Sequence, residues 1–307
     1  MKPCSLVFMN KTSFASRNFE GACWKALACL CFALMNGLIT GLMKRLHFLE
    51  VAFFEHILAM MWLAPFLWRY RTALLKTLRP AWHLWRVVLS VVGVILWYQA
   101  LQVMPMAQAV ALGFVGPITT SLGAVFLLKE RLTKGRLLAL TLGTLGVIFI
   151  QRSWCHWSWS LYDCWTLLPL GSSLAFSLST LVSKKLTSVD HPLLIVVVLF
   201  AFMTPCFGVL AAPFFTMPSL AEWAVLFLLG GMTALAHFAL TRSFVCSDVT
   251  YLLPIGALRF VFTACVGYIF FAQKPLLSVY LGFAVIFAAL FVLSACEGRF
   301  GRVKKAS

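Results

Sequence analysis

Residues 97–151, WYQALQVMPMAQAVALGFVGPITTSLGAVFLLKERLTKGRLLALTLGTLGVIFIQ, leave this chain few ways to fold. They hold two apolar runs, 105–128 and 135–151, parted only by a basic knot of Lys129, Glu130, Arg131 and Lys134. About 20 helical residues, rising 1.5 Å each, cross a bilayer core of about 30 Å. The first run is long enough to cross and the second just reaches. A helix on the surface of a soluble domain keeps one polar face, and these two have none. The stretch therefore predicts a pair of helices embedded in a membrane.

The rest of the chain repeats that pattern. Ten apolar runs can be marked, at 24–43, 50–68, 84–103, 105–128, 135–151, 164–183, 192–212, 221–240, 248–271 and 276–296. Their connections are short, which leaves no room for a soluble domain. Charged residues make up 11% of the chain, against roughly 25% in soluble domains, and that difference places it among polytopic membrane proteins. The net charge of +16 does not describe a nucleic-acid-binding surface, because the basic residues sit in short loops between the runs. The cysteines form no CxxC pair, and Cys29, Cys31, Cys206, Cys265 and Cys296 fall inside apolar runs, where they read as small hydrophobes.

The expected division is a cytoplasmic tail at 1–23 and a first five-helix repeat at 24–151. An aromatic-rich linker at 152–163, a second repeat at 164–296 and a basic tail at 297–307 complete it. With ten spans, Lys44, Arg45, Arg152 and Lys274 fall on one side, while Arg86 and Arg259 lie within spans. The other 19 of the 25 basic residues fall on the side of the N-terminus. Such a bias places both termini in the cytoplasm. The segments 100–132 and 240–276 share a rhythm: a span ends, a tight turn follows, and a proline-bearing span begins, closed by Glu130 or Gln273. Five spans per repeat is an odd number, so the second copy enters from the opposite face, the inverted-repeat arrangement of secondary transporters. The fold expected is thus an all-α polytopic membrane protein of ten transmembrane helices in two inverted five-helix repeats.

The run LHFLEVAFFEHILAMMWLAPFL (46–67), the segment LRPAWHLWR (78–86) and ALQVMPMAQAVALGFVGPITTSLGAVFLLKERL (100–132) resemble the EamA-type branch of the drug/metabolite transporter superfamily. Within that branch they look most like the S-adenosylmethionine uptake permeases of obligate intracellular bacteria. The Pro105–Ala109 turn, the Gly116–Pro117 pair and the Leu127–Glu130 closure carry the resemblance. It implies a carrier of the bacterial inner membrane that takes up S-adenosylmethionine, with exchange for S-adenosylhomocysteine as one mode it leaves open. The alternative it leaves open is an exporter of amino acids or other small metabolites. Arg86 matches the family's third-span arginine. Two departures stand out: Glu55 follows Phe53 and Phe54 where relatives carry arginine, and Gln273 replaces an acid.

Charges inside a span are costly, so they are paired or face water. Arg259, eleven residues into its run, is the strongest candidate to meet a substrate carboxylate or phosphate. Glu55 suits a cationic group or a coupling proton, and Arg86 a carboxylate. Trp97 and Tyr98 suit an adenine ring or a sulfonium. His237 and Gln108 are further candidates. Asn36 can bond a ligand or a neighbouring helix. His56, turned 100° from Glu55, is expected to face elsewhere, and Ser90, Gly93 and Trp97 are expected to share one face of their helix. No metal cluster, nucleotide-binding loop or nucleophile–base set is visible, so neither enzyme chemistry nor a cofactor is expected. The expected partners are a small-molecule substrate, lipid, and a coupling proton or counter-substrate.

Overall fold

The computed structural model describes residues 14–74, 79–116, 118–120, 138, 141–142, 145–146, 165–187, 189–247, 252, 255–256, 258–274 and 276–306. The basic knot at 129–134, the linker at 152–163 and Pro254 lie outside these residues. Nine α-helices are found among them: α1 (Phe14–Leu42), α2 (Phe48–Leu74), α3 (Pro80–Val103), α4 (Met106–Gly113), α5 (Leu167–Leu186), α6 (Pro192–Ala211), α7 (Leu220–Cys246), α8 (Leu258–Phe271) and α9 (Leu277–Ala306). Five stretches are long and apolar enough to cross a membrane: Phe19–Leu42, Phe48–Pro65, Pro80–Val103, Pro192–Phe214 and Leu220–Cys246. Shorter apolar helices cover Met106–Thr120, Leu258–Phe271 and Leu277–Ala289.

The sixth run, expected at 164–183, forms α5 but is not among the spans, because serine and lysine lower its hydropathy. Its serines turn to neighbouring backbone. Ser172 Oγ donates to the Gly93 carbonyl of α3 at 2.8 Å, and Ser173 Oγ donates to the Gly113 carbonyl of α4 at 2.7 Å. Hydroxyls bonded in this way hold helices together in an environment that offers little water.

α4 shows why such bonds are needed. Pro117 has no N–H to give to the carbonyl four residues earlier, that of Gly113. The helix gives way after Gly113 to short i→i+3 bonds, Phe114 N to Ala111 O at 3.2 Å and Val115 N to Leu112 O at 3.2 Å. Ser173 satisfies the freed Gly113 carbonyl. The Gly116 carbonyl receives three hydroxyls, from Thr119 (2.8 Å), Thr120 (2.9 Å) and Ser177 (2.7 Å). Broken helices persist at membrane depth only where their backbone is answered in this manner.

Helix ends follow their sequences. Pro80 and Pro192 occupy first-turn positions, where no N–H is needed. The His191 side chain caps α6 by accepting from Leu193 N, and Ser219 with Glu222 forms a capping box on α7. α3 displays both of its environments. Arg86, Ser90 and Trp97 are buried, whereas Leu84, Trp85, Val88 and Val92 form an exposed apolar stripe suited to lipid.

The first helices pack on the later ones. α1 lies along α7 and α8, α2 along α6 and α7, and α3 along α5 and α6; α4 meets α5 and α8. Two polar clasps join loops to facing helices. At the end where α1 stops, Arg45 pairs with Glu222, with Nε to Oε1 at 2.6 Å, and its Nη2 donates to the Met217 carbonyl at 3.2 Å. Nearby, the fully buried Glu50 carboxylate accepts from the Thr216 N–H and hydroxyl. At the end where α3 starts, His83 Nε2 meets Asp190 Oδ2 at 3.1 Å, with side chains 3% and 0% exposed. Arg45, by contrast, is 53% exposed.

Candidate functional site

A cavity of about 300 Å³ lies between α1, α7 and α8 on one side and α3, α4 and α5 on the other. Ligand sites begin at about this size. Along α3 its wall runs from Arg86 to Tyr98, which at 1.5 Å per residue is about 18 Å.

The periodicity of each helix sets what it contributes. α1 presents Lys25, Cys29, Phe32 and Asn36, and α3 presents Arg86, Ser90, Val94, Trp97 and Tyr98, each series at helical spacing. α5 adds serines and Phe176, and α7 adds His237, Thr241 and Phe244. The broken stretch of α4 brings Gly113, Phe114 and Gly116 to the wall.

Arg259 projects from the first turn of α8 between two aromatic rings. Its guanidinium carbon is 5.0 Å from the centroid of Phe32 and 5.1 Å from that of Trp97. Cation–π attraction of this kind holds a cation without neutralising it. The Trp97 indole is itself fixed, since Nε1 donates to Asn36 Oδ1 at 3.1 Å. Arg86 donates through Nη1 to the Ile195 carbonyl. Arg86 and Arg259 each keep a buried Nε–H with no partner.

Glu55 is 3% exposed and accepts two hydroxyl hydrogen bonds, from Tyr98 Oη and from Thr233 Oγ1, the latter at 2.7 Å. Among the described residues it is the cavity's one acid, facing Lys25, Arg86 and Arg259 as the bases. The wall is therefore net basic, with aromatic and hydroxyl surface between the charges.

Of the residues singled out from sequence, Glu55, Arg86, Trp97, Tyr98, His237 and Arg259 all border this one cavity. Gln108 does not. It is buried in α4 with Nε2 unpartnered, about 200° around the helix from Val110, which does reach the wall. His56 diverges from Glu55 as its 100° offset implies, yet it too lines the cavity. Glu55 turns to α7 and His56 to α6, where its ring centroid lies 5.2 Å from that of Phe207, and its Nδ1–H donates to the Ala52 carbonyl at 2.6 Å. The face of Ser90, Gly93 and Trp97 is less open than its small residues suggest. Phe176 lies over Gly93, where an added Cβ would stand 2.7 Å from its ring.

Lys25 and Phe32 were missed by sequence reasoning. The signal was there in the spacing of Lys25, Cys29, Phe32 and Asn36 along one face of α1. Lys25, near the start of the first run, reads from sequence as one of the basic residues on the N-terminal side.

A helical bundle with apolar outward stripes around a cavity lined by rings, aliphatic groups, hydroxyls and a few charges has the build of a membrane carrier. Comparison with known proteins makes this specific. The EamA-like transporter family matches residues 19–152. A riboflavin transporter of Rhizobium johnstonii is 35% identical over 93% of this chain and 95% of its own length. An S-adenosylmethionine uptake transporter of Rickettsia prowazekii is 28% identical over 89% of this chain and 92% of its own. The chain belongs to the EamA-like transporter family. A solved crystal structure shares the fold at a TM-score of 0.67 and 18% identity, covering 94% of this chain and 99% of the other.

Proposed function

We propose that this protein is a secondary carrier of the bacterial inner membrane that imports riboflavin or a similarly flat, acceptor-rich heterocycle. The observation that carries this reading is the composition of the cavity wall. Lys25, Arg86 and Arg259 face a single acid whose oxygens already accept from Tyr98 and Thr233. Such a wall repels a cation and offers N–H donors and ring faces to a neutral or electron-rich solute. Riboflavin is planar, carries ring carbonyls and nitrogens for the donors, and bears a polyol suited to hydroxyl-lined surface. The 35% identity to a riboflavin transporter supports the same choice.

Import of S-adenosylmethionine is the second reading, favoured by the presence of Glu55 in the wall and by the Rickettsia prowazekii relative. The deciding experiment is uptake of labelled riboflavin into a riboflavin auxotroph lacking its own importer. Accumulation above empty vector, undiminished by excess S-adenosylmethionine, is expected. Absence of uptake in cells shown to display the protein refutes the riboflavin reading. Uptake of labelled S-adenosylmethionine, competed by S-adenosylhomocysteine, establishes the second.

For the architecture we infer ten spans in two inverted halves, with α5 as the counterpart of α1, α6 of α2, α7 of α3 and α8 of α4. Exchanging halves converts the α1–α7 contact into α5–α3, α1–α8 into α5–α4, and α2–α7 into α6–α3, and each of these contacts exists. The clasps exchange as well. Arg45 (loop) with Glu222 (helix start) becomes Asp190 (loop) with His83 (helix start). In this arrangement both termini lie in the cytoplasm, and access alternates as the two groups of helices rock about the cavity.

A further inference from the structure

We infer that Lys25 and Arg259 form an anion subsite within the cavity, so that the carrier also takes a solute bearing a phosphate or carboxylate. This rests on the reading of the cavity as the transport site and adds an anion to its cargo, either as part of the imported molecule or as the species exchanged for it.

Lys25 belongs to α1 and Arg259 to α8, and the two helices pack together. The Lys25 Cε is 3.6 Å from where a Cβ on Gly256 would stand, and Gly256 precedes Arg259 by three residues on the chain. Between them Cys29 Sγ lies 3.7 Å from the Gly256 carbonyl oxygen. Both cations border the cavity, yet neither makes an ion pair among the described residues. Each rests instead on aromatic rings. Lys25 Nζ is 5.7 Å from the Phe244 centroid, and Arg259 lies between Phe32 and Trp97. Arg86, the third base, is committed to the Ile195 carbonyl of α6. Glu55 is held by Tyr98 and Thr233 on the α2–α7 side. Two cations inside apolar helices without a counter-charge among the described residues are costly, and rings do not neutralise them. A transported anion supplies that charge, and a guanidinium and an ammonium from two packed helices bordering one cavity suit oxyanions in particular.

The test must stand apart from the riboflavin reading. Purified protein is treated with pyridoxal phosphate, a lysine-reactive aldehyde carrying a phosphate, or with pyridoxal, which lacks it. The adducts are reduced with borohydride and quantified by mass spectrometry at Lys25 and at the exposed Lys44. The ratio of phosphate-bearing to plain label at Lys25 is expected to exceed that at Lys44 at least fivefold. In Arg259→Gln it should fall to the Lys44 value, and riboflavin 5′-phosphate should block labelling of Lys25 more strongly than riboflavin. Equal ratios at the two lysines in the wild-type protein overturn the subsite, whatever the cargo. A ratio insensitive to Arg259→Gln overturns the part assigned to Arg259. Failed riboflavin uptake beside intact phosphate-selective labelling removes the flavin and keeps the subsite.

Discussion

Gly230 sits where α7 crosses α2, and replacing it with alanine tests how tightly the acidic corner of the cavity is built. A Cβ at this position would stand 2.6 Å from Leu58 Cβ, 2.8 Å from the Leu58 carbonyl carbon and 2.9 Å from Ala59 N. Two of those three atoms are backbone, so no rotamer change can relieve the contact and the helices must part. Overpacking of this kind costs about 1–3 kcal/mol, and alanine returns up to about 1 kcal/mol of helix propensity. With two backbone atoms inside 3.0 Å the cost falls at the upper end of that range, about 2–3 kcal/mol, so the net loss is about 1–2 kcal/mol, or roughly 2–6 °C in melting temperature by the scaling for domains of this size. Thr233, one turn further along α7, also moves back from Glu55, which it reaches now at 2.7 Å. Transport should therefore fall together with stability. Gly41→Ala is the control, because nothing lies within 4 Å of its added Cβ, so it keeps the propensity gain without the clash and should melt at wild-type temperature or up to about 3 °C above it. The assay is thermal unfolding of detergent-purified protein, followed by size-exclusion of the soluble fraction, with counterflow in proteoliposomes. If Gly230→Ala melts at or above wild type and transports normally, the close α2–α7 packing is wrong.

Other substitutions probe separate parts of the molecule. His83→Ala strands the buried Asp190 carboxylate and should cost about 3–5 kcal/mol, whereas Arg45→Ala, which breaks an exposed pair, should cost about 0–1 kcal/mol; equal melting temperatures for the two refute the contrast. Tyr98→Phe and Thr233→Val each leave Glu55 one donor short, and their combined effect on melting temperature should depart from additivity by about 0.5–3 kcal/mol. Strict additivity would show that they do not share the carboxylate. Gln273→Ala should lose about 1 kcal/mol by removing the acceptor that Oε1 offers to Met106 N at 3.2 Å, while Gln273→Glu, which keeps that acceptor, should melt like the wild type.

The extent to which this was legible in the sequence differs from helix to helix. Hydropathy located α1, α2, α3, α6 and α7 because each is a single unbroken apolar run whose length matches the bilayer. It located α5 too, but not its character, since serine reads as polar until its hydroxyl is seen on the Gly93 or Gly113 carbonyl. Arg86, Arg259 and Glu55 were visible because a charge inside an apolar run is conspicuous on any scale. Their partners were not. Nothing in the sequence places Thr233 beside Glu55, 178 positions away, or Phe32 beside Arg259. Gln108 shows the same difficulty in reverse, because polarity alone does not reveal which side of α4 faces the cavity. Lys25 was overlooked since a lysine at the edge of a run looks like a flank until α8 is seen to pack beside it.

Trp97 and Tyr98 are consecutive residues, and one reaches Asn36 of α1 while the other reaches Glu55 of α2. Their side chains diverge by about 100°, so α3 cannot turn away from either neighbour without straining its hold on both. A shift of α3 away from α1 therefore also disturbs the bond to α2 within a single peptide unit, which ties the three helices at this level of the cavity into one mechanical unit. Helices joined in this way are expected to move as a group, and a variant that cuts one of the two bonds should loosen the other.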